Sequence, residues 1–176
     1  MKFRAHPLAA LPLTLALALS SVACGGGTPK AATANVVAGA MPEGESWNGV
    51  YYNTIFGNLH MKQEGEHIVG RWKRTDQSAW GELDGSVKDN LVKFEWKEHK
   101  IGLVGPAAEV HGKGYFVYSK VADEKFPKLA GEFGQNEDEV GGKWDCVKQL
   151  NVKLDLNSIN GDTGAVSAPA GDTGWQ

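Results

Sequence analysis

Between Trp47 and Lys148, apolar and polar residues alternate in run after run. Leu59 and Met61 interleave with Asn58, His60 and Lys62. Leu83 and Val87 interleave with Glu82, Asp84, Ser86 and Lys88, and Val92, Phe94 and Trp96 with Lys93, Glu95 and Lys97. Successive side chains of a strand leave it on opposite sides, so a period of two marks strands with one buried and one wet face. No segment of ten or more residues carries a helical period. The alternation predicts eight strands: Val50–Asn53, Gly57–Gln63, His67–Thr75, Trp80–Lys88, Leu91–His99, Gly114–Lys120, Leu129–Gly134 and Gly141–Lys148. Glu64-Gly65-Glu66, Asp89-Asn90 and Asn136–Glu139 separate them with turn-forming residues, and Asp-Asn tolerates the positive φ of tight hairpins. Such short connections predict an antiparallel meander.

Glycines share the parity of the apolar residues. Gly70 falls in step with Ile68 and Trp72, Gly85 with Leu83 and Val87, Gly131 with Leu129 and Phe133, and Gly142 with Val140 and Trp144. Glycine weakens a strand unless it permits a bend or a close approach. Large and small residues alternating on an inner face suit the taper of a small closed barrel, and closure removes the exposed edges of a meander. The expected fold is therefore all-β, an eight-stranded antiparallel up-and-down barrel, with a curved open sheet or β-sandwich as the alternative.

The stretches "WNGVYYNTIFGNLHMKQEGEHIVGRWKR", "FEWKEH", "LAGEFG" and "GGKWDCVK" resemble the repeated Gly-x-aromatic strands of avidin-like and lipocalin-like barrels over about a hundred residues. Avidins bind biotin and lipocalins bind apolar small molecules, so the resemblance implies ligand capture. Tyr52-Asn53 stands where an avidin first strand carries its ligand-contacting asparagine. The serine of the avidin first loop has no clear counterpart, and Arg74 occupies the place of a small hydroxyl on the third strand. The resemblance therefore implies a ligand other than biotin.

The two ends of the chain concern location. Lys2 and Arg4 precede an apolar run from Leu8 to Leu19, broken by Pro12 and too short to span a bilayer, which needs roughly 20 apolar residues. A basic start, a short apolar segment and small residues near its end describe an export signal, residues 1–23. Ser21-Val22-Ala23-Cys24 resembles the lipobox of bacterial lipoproteins, whose cysteine is diacylated and becomes the new N-terminus. Ser21 replaces the usual leucine, and Ser-Val-Ala also meets the small-x-small rule of ordinary secretory cleavage. A soluble periplasmic or secreted protein is thus the alternative to one anchored through Cys24. Gly25 and Gly26 are not the aspartate that retains lipoproteins at the inner membrane, so the resemblance implies the outer membrane, facing periplasm or cell surface. Residues 24–46, rich in Gly, Ala, Thr and Pro, read as a flexible linker. Residues 47–149 read as the barrel domain and residues 150–176 as a low-complexity, mostly disordered tail with Gly-Asp-Thr-Gly twice.

Charge and chemistry narrow the function classes. The chain has 18 basic and 21 acidic residues; without Lys2 and Arg4 the balance is 16 to 21. A mildly acidic surface without a basic cluster argues against nucleic acid as a partner. Histidines 60, 67, 99 and 111 have no compact metal spacing and read as surface residues. Cys146 shares the inward parity of Trp144 and reads as a small core hydrophobe, although two cysteines in an exported protein also permit a Cys24–Cys146 bridge. No catalytic triad order, phosphate loop or zinc-helix motif occurs, and no cofactor is implied. Tyr52, Trp72, Phe94, Trp96, Phe116, Tyr118, Phe133 and Trp144 are the candidate barrel interior. They are either packed core or the wall of a site for a small apolar ligand. Two functions follow: a membrane-anchored, non-enzymatic binding module of the cell envelope, or an interaction subunit of an envelope protein assembly with a filled barrel and no ligand.

Overall fold

The computed structural model describes residues 30–160; the segment read as an export signal, Cys24 and residues 161–176 lie outside them. Nine strands form: β1 (Gly49–Asn53), β2 (Gly57–Glu64), β3 (His67–Lys73), β4 (Ala79–Lys88), β5 (Leu91–Lys100), β6 (Glu109–Ser119), β7 (Lys128–Gln135), β8 (Gly142–Lys143) and β9 (Cys146–Lys148). From β1 to β7 each strand pairs antiparallel with its predecessor. β9 then pairs with β7 on one side and β1 on the other, through Leu129↔Cys146 and Tyr51↔Lys148. Eight strands thus close a barrel in up-and-down order, and neither an open sheet nor a sandwich is formed. β8 is an extra two-residue strand on the far end of β7.

The expected last strand is divided in two because Asp145 interrupts it. Its carboxylate accepts the Gly131 N–H at 3.1 Å, while the Trp144 N–H donates to the Gly131 carbonyl at 2.9 Å. A side chain takes the place of a ladder carbonyl and the strand bulges there.

Closure rests on paired large and small residues. Trp72 stands opposite Gly81, Phe94 opposite Gly85 and Gly114, Trp96 opposite Gly112, Phe116 opposite Gly131 and Phe133 opposite Gly142. Several of these rings lie across the partner glycine. A Cβ on Gly114 would sit 2.7 Å from Phe94 Cζ, one on Gly131 2.5 Å from Phe116 Cδ1, and one on Gly142 2.6 Å from Phe133. A methyl at any of these positions would occupy space the ring already fills, and at Gly114 and Gly131 it would also press on the Glu132 and Tyr115 carbonyl oxygens. The glycines therefore let a tightly curved wall accommodate aromatic rings on its inner face.

The connections define two ends. Residues 54–56, 74–78, 101–108 and 136–141 form the upper end. The turns at Gly65 and Asp89–Asn90, the connection 120–127 and the start of β1 form the lower end. Two segments read from composition as linker and tail are in fact fastened to the wall. Ala32 and Ala34 donate their N–H groups to Asp138 and Glu139 at 2.7 and 2.8 Å, and Gly39 donates to Asn90 at 2.6 Å. After β9 the Gln149 N–H donates to Val50, and a 3₁₀ turn at Leu156–Ser158 lies against β2. This C-terminal strap buries Val50 and His60, both on the outward parity, so His60 is not the surface histidine expected.

Gly114→Ala should lower the unfolding free energy by about 1–3 kcal/mol, the usual range for overpacking. Adding Phe94→Leu should return part of that loss, as urea titration of the single and double variants will show.

Candidate functional site

Seven of the eight candidate interior residues come together inside the barrel. Trp72, Phe116, Tyr118 and Trp144 are fully buried, Phe94 and Trp96 nearly so, and the half-buried Phe133 packs against them. Tyr52 is the exception. Its neighbour Tyr51 takes the inward position, leaving Tyr52 on the outer wall, 39% exposed and opposite Val147. The sequence misassigned the pair because two adjacent tyrosines give no alternation to choose between.

Trp144 occupies the middle of this group. Its ring centroid lies 4.4 Å from Phe56, 4.9 Å from Trp72, 5.2 Å from Phe116, 5.9 Å from Phe94 and 6.0 Å from Phe133, mostly edge to face. These are the separations of aromatic pairs in direct contact. An eight-stranded barrel has room for one filling of side chains or one small ligand. Here rings pack on rings where such a ligand would lie. Cys146 is also buried in this core. Burial first, and the neighbouring Asp145 second, push its thiol up to about 12 against the opposing Trp144 indole N–H. It is therefore a buried, protonated thiol and not a thiolate nucleophile.

Polar side chains seal both ends. At the upper end Glu98 is buried and takes a two-pronged grip from Arg74, Nε to Oε2 at 2.8 Å and Nη2 to Oε1 at 3.0 Å. The Trp72 indole N–H also points at Glu98, 3.4 Å away, and the Arg74 guanidinium lies 5.1 Å above the Phe56 ring. Sequence reading passed over this pair, although Glu98 shares the inward parity of Phe94 and Trp96. Arg74 meets a carboxylate here, in the position where the avidin resemblance puts a small hydroxyl.

At the lower end Trp47 closes the barrel. Its indole N–H donates to the Asp89 carbonyl at 3.0 Å, and its ring meets the edge of Tyr118 at 5.4 Å. Glu45 accepts from the Tyr118 hydroxyl at 2.5 Å and from Lys120 at 2.6 Å. Lys148, inward-facing at the end of β9, donates to the Ser46 carbonyl at 2.8 Å and the Tyr118 oxygen at 3.1 Å. Burial raises the Glu45 carboxyl, but the Lys120 and Tyr118 hydrogen bonds and the Lys148 charge outweigh it and hold the group below its ordinary value. Lys148 is pulled below the ordinary ammonium value, because its burial exceeds what Glu45 returns. The carboxylate has several positive or donating partners, whereas the buried ammonium has one carboxylate.

The largest concavity described lies outside the filled interior, on the outer wall. A groove of ≈ 830 Å³ crosses the outer face of β3–β6, between the strap at Leu156–Asn157 and the turn at Asn136–Glu137. Arg71, Glu82, Glu95, Lys97, Glu109 and Lys113 line it. Several of its ion pairs are long: Arg71–Glu82 at 3.7 Å, Lys97–Glu109 at 3.4 Å and Lys113–Glu95 at 3.8 Å. Half-exposed pairs of this kind are worth about 0–1 kcal/mol each, so their charges can exchange partners at small cost. Among the described residues no cluster of three or more His, Cys, Asp or Glu is arranged to hold a metal ion. Compared with known proteins, the chain matches no family model, no curated protein and no solved structure.

Arg74→Met should cost about 3–5 kcal/mol, since it strands the buried Glu98 carboxylate; Glu98→Gln should cost less, because the Arg74 it leaves behind is part-exposed. The double variant Arg74→Met/Glu98→Gln should be less destabilised than the sum of the two singles, measurable as a coupling energy in a denaturant cycle. Glu45 contributes stability above the unfolded carboxylate pKa, and that contribution disappears as pH falls through its depressed folded value. The stability gap between wild type and Glu45→Gln should accordingly be widest near neutral pH and close below the carboxylate range, followed by thermal melts across pH.

Proposed function

We propose that this protein is a lipid-anchored, non-enzymatic module of the bacterial envelope that binds a protein partner through its outer wall. The observation that carries this reading is Trp144, in contact with five other rings at the centre of the barrel. A small-molecule binder of this architecture needs that volume for its ligand.

The outer face supports the same reading. Its groove presents both signs of charge, with Arg71 and Lys97 in long ion pairs and Lys113 bonded to Glu137 at 2.7 Å, which suits an extended polypeptide segment bearing charges of its own. No helix among the described residues is long and apolar enough to cross a membrane. The wall itself is charged outside and apolar inside, the reverse of a barrel embedded in lipid. Attachment through Cys24 is supported by the lipobox-like Ser21-Val22-Ala23-Cys24; its two acyl chains would supply the multiple apolar signals that stable anchoring requires.

Cys24→Ser should move the protein from the membrane fraction to the soluble fraction of its host. Unchanged partitioning would dispose of the anchor. Native mass spectrometry of the mature protein from that host should give the polypeptide and its acyl groups without a further small molecule. A retained apolar ligand would instead favour capture inside the barrel. Reversing the groove charges, with Lys97→Glu and Lys113→Glu together, should weaken co-isolation of the protein partner at least tenfold.

A further inference from the structure

We propose that the upper end of the barrel faces the bilayer and that the β5–β6 loop dips Leu103 and Val104 into its interface; this rests on the anchor assigned to Cys24.

Ile101 to Ala108, with sequence IGLVGPAA, is eight residues without a charge. Leu103 is 53% exposed and Val104 94% exposed. The loop is nevertheless held in place: the Ile101 N–H donates to the Ser78 carbonyl at 2.8 Å, and the Ala108 N–H to the Gly105 carbonyl at 2.9 Å. Ile55, 59% exposed, belongs to the β1–β2 connection at the same end. The lower end also exposes apolar side chains, Val121 and Phe126, but its loop carries Lys120, Asp123, Glu124 and Lys125 beside them. Moving those charges toward hydrocarbon opposes insertion, whereas residues 101–108 carry none. Lys100 and Glu109 stand at the bases of the loop, and Asp76 and Glu137–Glu139 of the same end belong to the neighbouring connections, so only the loop itself enters the interface.

The tether selects the same end. Ala32 is clamped to Asp138 and Glu139 in the upper connection after β7. From there the chain runs down the outside of the barrel to Gly39, which is bonded to Asn90 at the lower end. Cys24 precedes Ala32 by eight residues, a span of at most about 29 Å when fully extended. The ten residues of β5 rise ~33 Å along the strand, or about 25 Å along an axis to which the strands tilt by ~40°. With the lower end against the membrane, the tether would have to be pulled nearly straight, a large loss of chain entropy. With the upper end down, it keeps most of its slack.

The test uses the full-length lipidated protein on phosphatidylethanolamine–phosphatidylglycerol vesicles containing a lipid with a shallow nitroxide quencher. Val104→Cys, Ala107→Cys and Val121→Cys each receive an environment-sensitive fluorophore. Acylation blocks Cys24 and burial protects Cys146, so the introduced thiol alone reacts. Labels at 104 and 107 should be quenched at least threefold more than the label at 121. Equal quenching, or stronger quenching at 121, would overturn the orientation while Cys24-dependent co-sedimentation leaves the anchor intact. If co-sedimentation does not depend on Cys24, the anchor fails and the orientation falls with it.

Discussion

The barrel closes because aromatic rings and glycines exchange volume across neighbouring strands. Phe94 lies over Gly114 and Phe116 over Gly131, and Trp72 lies over Gly81. A ring on each of these strands would overfill so narrow an interior, and a glycine on each would leave voids without dispersion contacts. The pairing is a constraint on position, since it requires each glycine to be directly opposite its ring. A register slip by one residue would turn every ring outward, so the same pairs that fill the interior also fix the strand alignment. The interior inherits this constraint: once Trp144 is added at the centre, rings pack on rings across the barrel.

The two ends show how the filled interior is isolated from water. Each is capped by a charged pair in a partly apolar setting, Arg74–Glu98 above and Lys148–Glu45 below. Such pairs add little net stability compared with apolar packing, but they are sensitive to geometry. At the lower end, Lys148 reaches Ser46, Tyr118 and Glu45 at once. It thereby ties the last strand to the segment that enters the first, at the seam where the barrel closes.

Strands were legible in the sequence because a side-chain period of two is a local property. β6 began earlier than expected, at Glu109, because Gly112 and Gly114 occupy inward positions where an apolar residue would have signalled a strand. The closed topology was legible through the glycine parity, which a flat sheet does not need. Burial imposed from outside was not. His60 follows the wet parity of β2, but its Nδ1 accepts the Asp155 N–H at 3.0 Å beneath a strap that arrives 95 residues later. Burial, only partly offset by the Asp155 carboxylate, lowers the pKa of this imidazole and favours the neutral form that can accept. Residues 32–39 likewise lack any internal period, because their order comes from Asp138, Glu139 and Asn90 far along the chain. Composition reports whether a segment can bury a core of its own. It does not report whether the segment can borrow partners from a wall already built.

Those borrowed segments give the outer surface its shape. A cylinder of strands is convex and offers a partner little concavity. The groove over β3–β6 exists because Leu156 and Asn157 stand along one side of it and the Asn136–Glu137 turn along the other. The second wall is itself held from outside, since Ala32 and Ala34 bond the adjacent Asp138 and Glu139. Glu139 in turn holds Lys93 of β5 at 2.9 Å. The residues that fasten segment 32–34 are therefore next to those that form the groove. A displacement of that segment acts where the groove wall is attached, so the placement of residues 32–34 and the shape of the groove depend on one set of hydrogen bonds.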